Sequence, residues 1–171
     1  MDRMASIELA LMNEQTEMKF YLQEAKRSQN KLARAMFENL AKDEGEHMAR
    51  IQKLHAKLLQ SGAWPRDVVL EVAGTNVREV LTGLANKRDA AMDHTDDDLK
   101  ALQKAERFET NGARFYGELA NACDNPQEKT FFQFLSRIER EHQLSITDTL
   151  AYLQDPAAWM MQHERAGFDG A

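Results

Sequence analysis

The chain has 171 residues, 43% hydrophobic and 29% charged, with only 8 Gly and 3 Pro, a composition that suits one domain of long helices better than a sheet. Its net charge of −6 and the lack of a clustered Lys and Arg stripe argue against nucleic acid as a partner. The single cysteine, Cys123, excludes an internal disulfide and a rubredoxin-type iron centre, and no apolar stretch approaches the ~20 residues of a bilayer span.

Met1 to Leu11 carries Asp2, Arg3 and Glu8 and no apolar run of signal-peptide length, so the cytoplasm is the expected compartment. From Ala5 to Arg27, the residues Ile7, Leu11, Met18, Tyr21 and Ala25 share one face at spacings of three and four, which predicts a first amphipathic helix. Asn30 is the expected N-cap of a second, carrying Ala33, Phe37, Leu40, Ile51, Leu54 and Leu58 and ending near Ser61-Gly62. The segment 63–94 reads as a crossover, with Trp64-Pro65, an apolar run at Val68 to Val72 and a helix over Val77 to Ala91. Thr95 followed by three aspartates is a strong start for a third long helix, running to about Ala122, because a hydroxyl caps orphan amides and acids favour the positive end of the helix dipole.

Asn125 as N-cap and Pro126 as first helical residue open the fourth, which carries Phe132, Leu135, Ile146, Leu150 and Leu153 and stops before Asp155-Pro156. The predicted fold is all-α: a four-helix bundle over residues 1–155, with a long crossover between its second and third helices. A tail over 156–171 is expected to hold a short helix around Trp159 to Glu164 and a mobile Gly-rich end.

Sliding the chain along itself exposes an internal repeat at an offset of 95 residues, relating the helix pair 5–61 to the pair 95–153. Glu14 pairs with Glu109, Phe20 and Tyr21 with Phe115 and Tyr116, Phe37 with Phe132, Leu40 with Leu135, Glu44 with Glu139, His47 with His142, and Ile51 with Ile146, without a gap. Each half thus holds a Glu seven residues before a Tyr, then a Glu-x-x-His. Residues three apart on a helix lie about 5–6 Å from each other on one side, so one metal ion is within reach of both carboxylate and imidazole. One Glu-x-x-His is weak evidence; two in register are not.

These residues fall on the apolar stripes: Glu14 between Leu11 and Met18, Glu44 and His47 between Leu40 and Ile51, Glu109 between Leu102 and Tyr116, Glu139 and His142 between Leu135 and Ile146. Four carboxylates are therefore aimed at one core, where unpaired anions are costly and a cation removes the cost. Four Glu are balanced by two divalent ions. Tyr21 and Tyr116 are either core aromatics with satisfied hydroxyls or hydrogen-bond partners of the metal carboxylates. His55, His94 and His163 lack repeat partners and read as surface or helix-end residues, the methionines as core filler, and Cys123 as a small buried hydrophobe.

With these motifs the sequence resembles the rubrerythrin branch of the ferritin-like superfamily, whose pattern is a Glu seven residues before a Tyr on helices one and three, and Phe-x-x-Leu then Glu-x-x-His on helices two and four. Carboxylate bundles of this kind hold di-iron or di-manganese centres with such a ligand set. The resemblance covers all four helices. It implies a ferritin-like bundle with two iron ions, for which manganese or zinc are substitutes, with terminal ligands Glu14 and Glu109, bridging carboxylates Glu44 and Glu139, and histidine ligands His47 and His142. Two departures stand out: this sequence has no rubredoxin segment, and the further glutamate that rubrerythrins carry three residues after the first on helix three is here Gly112, while the repeat-related position on helix one is Glu17.

Glu17 lies one turn after Glu14, so it either faces the same cavity or belongs to a solvated face. In the first reading it neutralises the charge that an oxidised, hydroxide-bridged pair holds beyond its four Glu, on the ion nearer His142, with carboxylate and imidazole exchanging as the redox state changes. The leading functional expectation is a non-haem di-iron oxidoreductase that reduces hydrogen peroxide, or dioxygen, and is restored by an external electron donor protein such as a rubredoxin, in a homodimer. The alternatives are ferritin-like iron oxidation with storage or delivery, and a binding bundle with adventitious zinc.

Overall fold

In the computed structural model, residues 3–65, 77–85 and 93–168 are described. They form six helices and no strand: α1 (Arg3–Arg27), α2 (Lys31–Ser61), α3 (Val77–Ala85), α4 (Asp96–Ala122), α5 (Pro126–Gln154) and α6 (Pro156–Phe168). The ends follow the capping chemistry of the sequence. The Asn30 side chain accepts from Ala33 N at 2.9 Å, and α2 closes on Gly62, whose φ of 65° suits a residue without Cβ and whose N–H reaches Leu58 O. At Thr95 a full capping box forms with Asp98, and Asn125 accepts from Gln127 N and Glu128 N ahead of Pro126.

α1 and α2 pack as one helical hairpin and α4 and α5 as another. Two apolar clusters fill the bundle. One gathers Tyr21, Leu32, Phe37, Leu102, Ile146 and Leu153; the other gathers Ile7, Ile51, Leu54, Trp64, Tyr116 and Phe132. Every long helix runs from one cluster to the other, and on each helix the acidic or histidine positions fall between the two. Val77 and Leu81 of α3 join the first cluster, so the crossover contributes to the core. The expected apolar run 68–72 and the part of the crossover helix beyond Ala85 lie outside the described residues.

The start of α4 is fastened to the turn between α1 and α2. Ser28 Oγ donates to Asp98 Oδ1 at 2.5 Å, and Arg27 reaches Asp97 O at 3.0 Å. Burial works against the Asp98 carboxylate, but the Ser28 and Thr95 hydrogen bonds and Arg27 outweigh it and hold its pKa below the usual value.

The tail differs from expectation: α6 begins at once at Pro156 and continues to Phe168. Asp155 is the reason, because it ends α5 and its Oδ1 accepts from Ala158 N at 3.0 Å, restarting a helix with proline in its first turn. Trp159 then anchors α6, buried edge-on against Tyr152 with its indole N–H on Asp148 Oδ1 at 2.8 Å. The remaining Gly-containing end, 169–171, lies outside the described residues. Among the described residues no helix is long and apolar enough to cross a membrane.

Candidate metal centre

Where the four long helices pass between the apolar clusters, six polar side chains meet. Glu14 is 1% exposed, and Glu44, His47, Glu109, Glu139 and His142 are all at 0%. They form two overlapping groups whose ligand atoms lie within 4.8 Å of one another: Glu14, Glu44, His47 and Glu139, and Glu44, Glu109, Glu139 and His142. Glu44 and Glu139 belong to both groups, which is the arrangement of two ion positions with shared carboxylates.

Both imidazoles present Nδ1 to the acids. His47 Nδ1 lies 3.1 Å from Glu14 Oε2 and 3.0 Å from Glu44 Oε2; His142 Nδ1 lies 3.2 Å from Glu109 Oε2 and 3.4 Å from Glu44 Oε1. The rings are nearly parallel, 5.8 Å apart. The tyrosines cross between the halves. Tyr21 of α1 donates to Glu109 Oε1 of α4 at 2.5 Å, and Tyr116 of α4 donates to Glu14 Oε1 of α1. Each tyrosine ring stacks on the phenylalanine of its own half, Tyr21 on Phe37 and Tyr116 on Phe132, both at 6.3 Å.

The donor set fits metal ions on its own chemistry. Among the described residues neither buried Glu139 oxygen has a hydrogen-bond partner, a state that carboxylates avoid unless a cation takes them up. Four carboxylates and two imidazoles match oxygen- and nitrogen-preferring divalent metals, iron and manganese among them. Electrostatics says the same. Burial and the neighbouring Glu44 push Glu14 up to about 8, against the pull of His47. Burial, then Glu44 and Glu109, hold Glu139 well above its usual range. Glu44 is shifted down in spite of burial, because both histidines face it, and burial is likewise overcome at His47, which Glu44 and Glu14 raise to about 10. This core demands positive charge, as protons or as metal ions.

Glu17 is buried at 8% exposure. Burial, with Glu44, Glu109 and Glu14, pushes it up to about 10, and His142 opposes. Its side chain also lines a cleft of about 510 Å³ between α1 and α4, with Asn13, Thr16, Asn111, Gly112 and Arg114. Gly112 gives Glu139 its space: a Cβ there would stand 3.1 Å from Glu139 Oε2 and 3.3 Å from its Cδ. The three other histidines stand apart from the centre, His55 near Glu8 at 3.5 Å and His163 stacked on Trp159, with His94 just ahead of α4. Cys123 is part-buried beside the second cluster, and burial with Glu128 pushes its thiol up to about 11.

One contact escaped sequence reasoning. Asp43 Oδ2 accepts from His142 Nε2 at 3.1 Å, across the two halves. Asp43 has no repeat partner, since residue 138 is Ile, and a search for matching positions passes over it.

Compared with known protein families, residues 6–150 match the family model described as Rubrerythrin. No curated protein and no solved structure gives a significant match.

Proposed function

Because the chain belongs to the rubrerythrin family, we propose that it is a non-haem di-iron oxidoreductase that reduces hydrogen peroxide, with dioxygen as the second candidate oxidant. The observation that carries this reading is the pair of overlapping ligand groups sharing Glu44 and Glu139. Glu14, Glu44, His47 and Glu139 would hold one iron, and Glu44, Glu109, Glu139 and His142 the other. When bound, such a pair supplies two electrons, one from each ion, which the reduction of peroxide to two waters requires together with two protons.

The protein's own groups do the rest. Tyr21 and Tyr116 orient Glu109 and Glu14 through hydrogen bonds from the opposite half. The α1–α4 cleft, which Glu17 lines, would be the way in for a small oxidant. Glu17, buried where the cleft meets the acids, would pass a proton to the oxygen being reduced, and the carboxylate left behind would be a fifth negative charge that favours the oxidised state. An external donor protein, such as a rubredoxin, restores the electrons, and the active form is a cytoplasmic homodimer.

Anaerobic loading with Fe(II), metal analysis and stopped-flow oxidation by peroxide and by oxygen side by side test this. Two irons per chain and faster oxidation by peroxide are expected. Faster oxidation by oxygen, in a shell of many subunits, would favour iron oxidation and storage instead.

A further inference from the structure

The repeat relates each candidate ligand to a counterpart 95 positions on, but it breaks one residue ahead of each Glu-x-x-His, where the first half has Asp43 and the second Ile138. The break falls on the far nitrogens of the two imidazoles. His142, facing the acids through Nδ1, has its Nε2 on Asp43 Oδ2 at 3.1 Å. His47 faces the acids through the same atom, yet among the described residues its buried Nε2 has no hydrogen-bond partner. The position that the repeat assigns to that role is Ile138, a buried side chain with no acceptor to offer.

An imidazole that ligates through Nδ1 carries its proton on Nε2, and an acceptor there fixes the tautomer, locks the ring and makes the ligating nitrogen a stronger base. Without one, the ring is held only through Nδ1 and by packing, and a buried donor goes unmet, which costs about 1–3 kcal/mol. The two imidazoles of this centre are therefore different ligands, although their own residue type, spacing and helix position are the same.

We propose that Asp43 is a positioning residue that makes the two metal positions unequal: the one built on His142 and Glu109 binds divalent cations more tightly and fills first, and the one built on His47 and Glu14 is the weaker, exchangeable one. This rests on the two-ion reading of the site. Asp43 does not touch the ions; it acts through His142.

The test is an anaerobic titration of the metal-free protein with Co(II), followed by absorption and calorimetry. The wild type should bind two ions in two resolved steps. Asp43→Ala should weaken the first step by about 10–100-fold, the usual effect of losing such a partner, and leave the second unchanged. Asp43→Asn keeps an acceptor and should fall between. In 15N-labelled protein the Nε2–H resonance of His142 should move in both variants while that of His47 stays. Asp43→Ala leaves the buried His142 donor unmet and should lower the metal-free melting temperature, while Asp43→Asn, which keeps an acceptor, should lower it less. Ile138→Asp, if it folds, should tighten the second step. Two equal steps in the wild type, or an unshifted first step in Asp43→Ala, would overturn the proposal. Failure to bind two ions at all would instead overturn the di-metal reading beneath it.

Discussion

Tyr21 and Glu109 are 88 positions apart and belong to different halves of the repeat, yet the tyrosine hydroxyl reaches the carboxylate at 2.5 Å in the middle of the bundle. With Tyr116 on Glu14 the exchange is mutual, so each helix pair orients an acid of the other. Neither half can arrange its ligands alone. Tyr21→Phe should therefore destabilise the metal-free protein by about 1.5–3 kcal/mol, the range for a buried hydrogen bond to a charged group. Urea unfolding measures it, and a change within ~0.5 kcal/mol, typical of neutral substitutions, would make Tyr21 a plain core aromatic. The double variant with Tyr116→Phe should depart from additivity, since both bonds serve one cluster.

Metal removal should lower thermal stability. Ions that bind the folded state alone stabilise it by about 2.7 kcal/mol each at a hundredfold excess over Kd. Melting by calorimetry, with and without Fe(II) or Zn(II), should give a clear upward shift on loading. Equal melting temperatures would count against a buried site.

Glu17→Gln should retain two ions per chain, because six other ligands remain, but slow oxidation by peroxide by about 10²-fold or more if the carboxyl is the proton donor. Losing a negative charge near the centre should also raise its reduction potential. An unchanged rate and potential would remove Glu17 from the chemistry.

The pH dependence of the metal-free protein has a definite sign. Glu14 is raised from 4.5 to about 8, Glu17 from 4.5 to about 10 and His47 from 6.5 to about 10. Between its unfolded and folded values each group holds more protons folded than unfolded, so stability falls as pH rises through that interval. All three act alike; Glu44, shifted down, acts in the opposite sense only below 4.5. The melting temperature without metal should therefore drop from about pH 5 to about pH 9, while metal affinity rises over the same range because ligation displaces protons. The gap between loaded and metal-free protein should widen with pH. A metal-free melting temperature that is flat or rising across this range would show that these shifts do not govern stability.

Helix ends and the members of the buried acid and histidine cluster were legible because both are local: caps are single residues with known partners, and Glu-x-x-His is a spacing within one turn. The repeat then turned two weak motifs into one centre. Contacts between the halves were not legible. Nothing in the spacing tells that Tyr21 serves Glu109 rather than an acid of its own hairpin, and Asp43 matters because it breaks the repeat that revealed everything else. Glu17 was ambiguous for a different reason, since the edge of an apolar stripe is buried or exposed according to how closely the neighbouring helix approaches. The restart of the chain at Pro156 could have been read from Asp155, which ends one helix and caps the next.

Gly112 decides which helix has room for a further carboxylate beside the centre. The repeat relates Gly112 to Glu17, so the two halves fill this position in opposite ways. The Glu139 carboxylate occupies the space that a side chain at 112 would need, close enough that even a methyl group would press on it. Gly112→Glu would therefore displace Glu139, the carboxylate that both candidate ligand groups share with Glu44. A carboxylate at this level of the bundle therefore has room on α1, where it is Glu17, and none on α4.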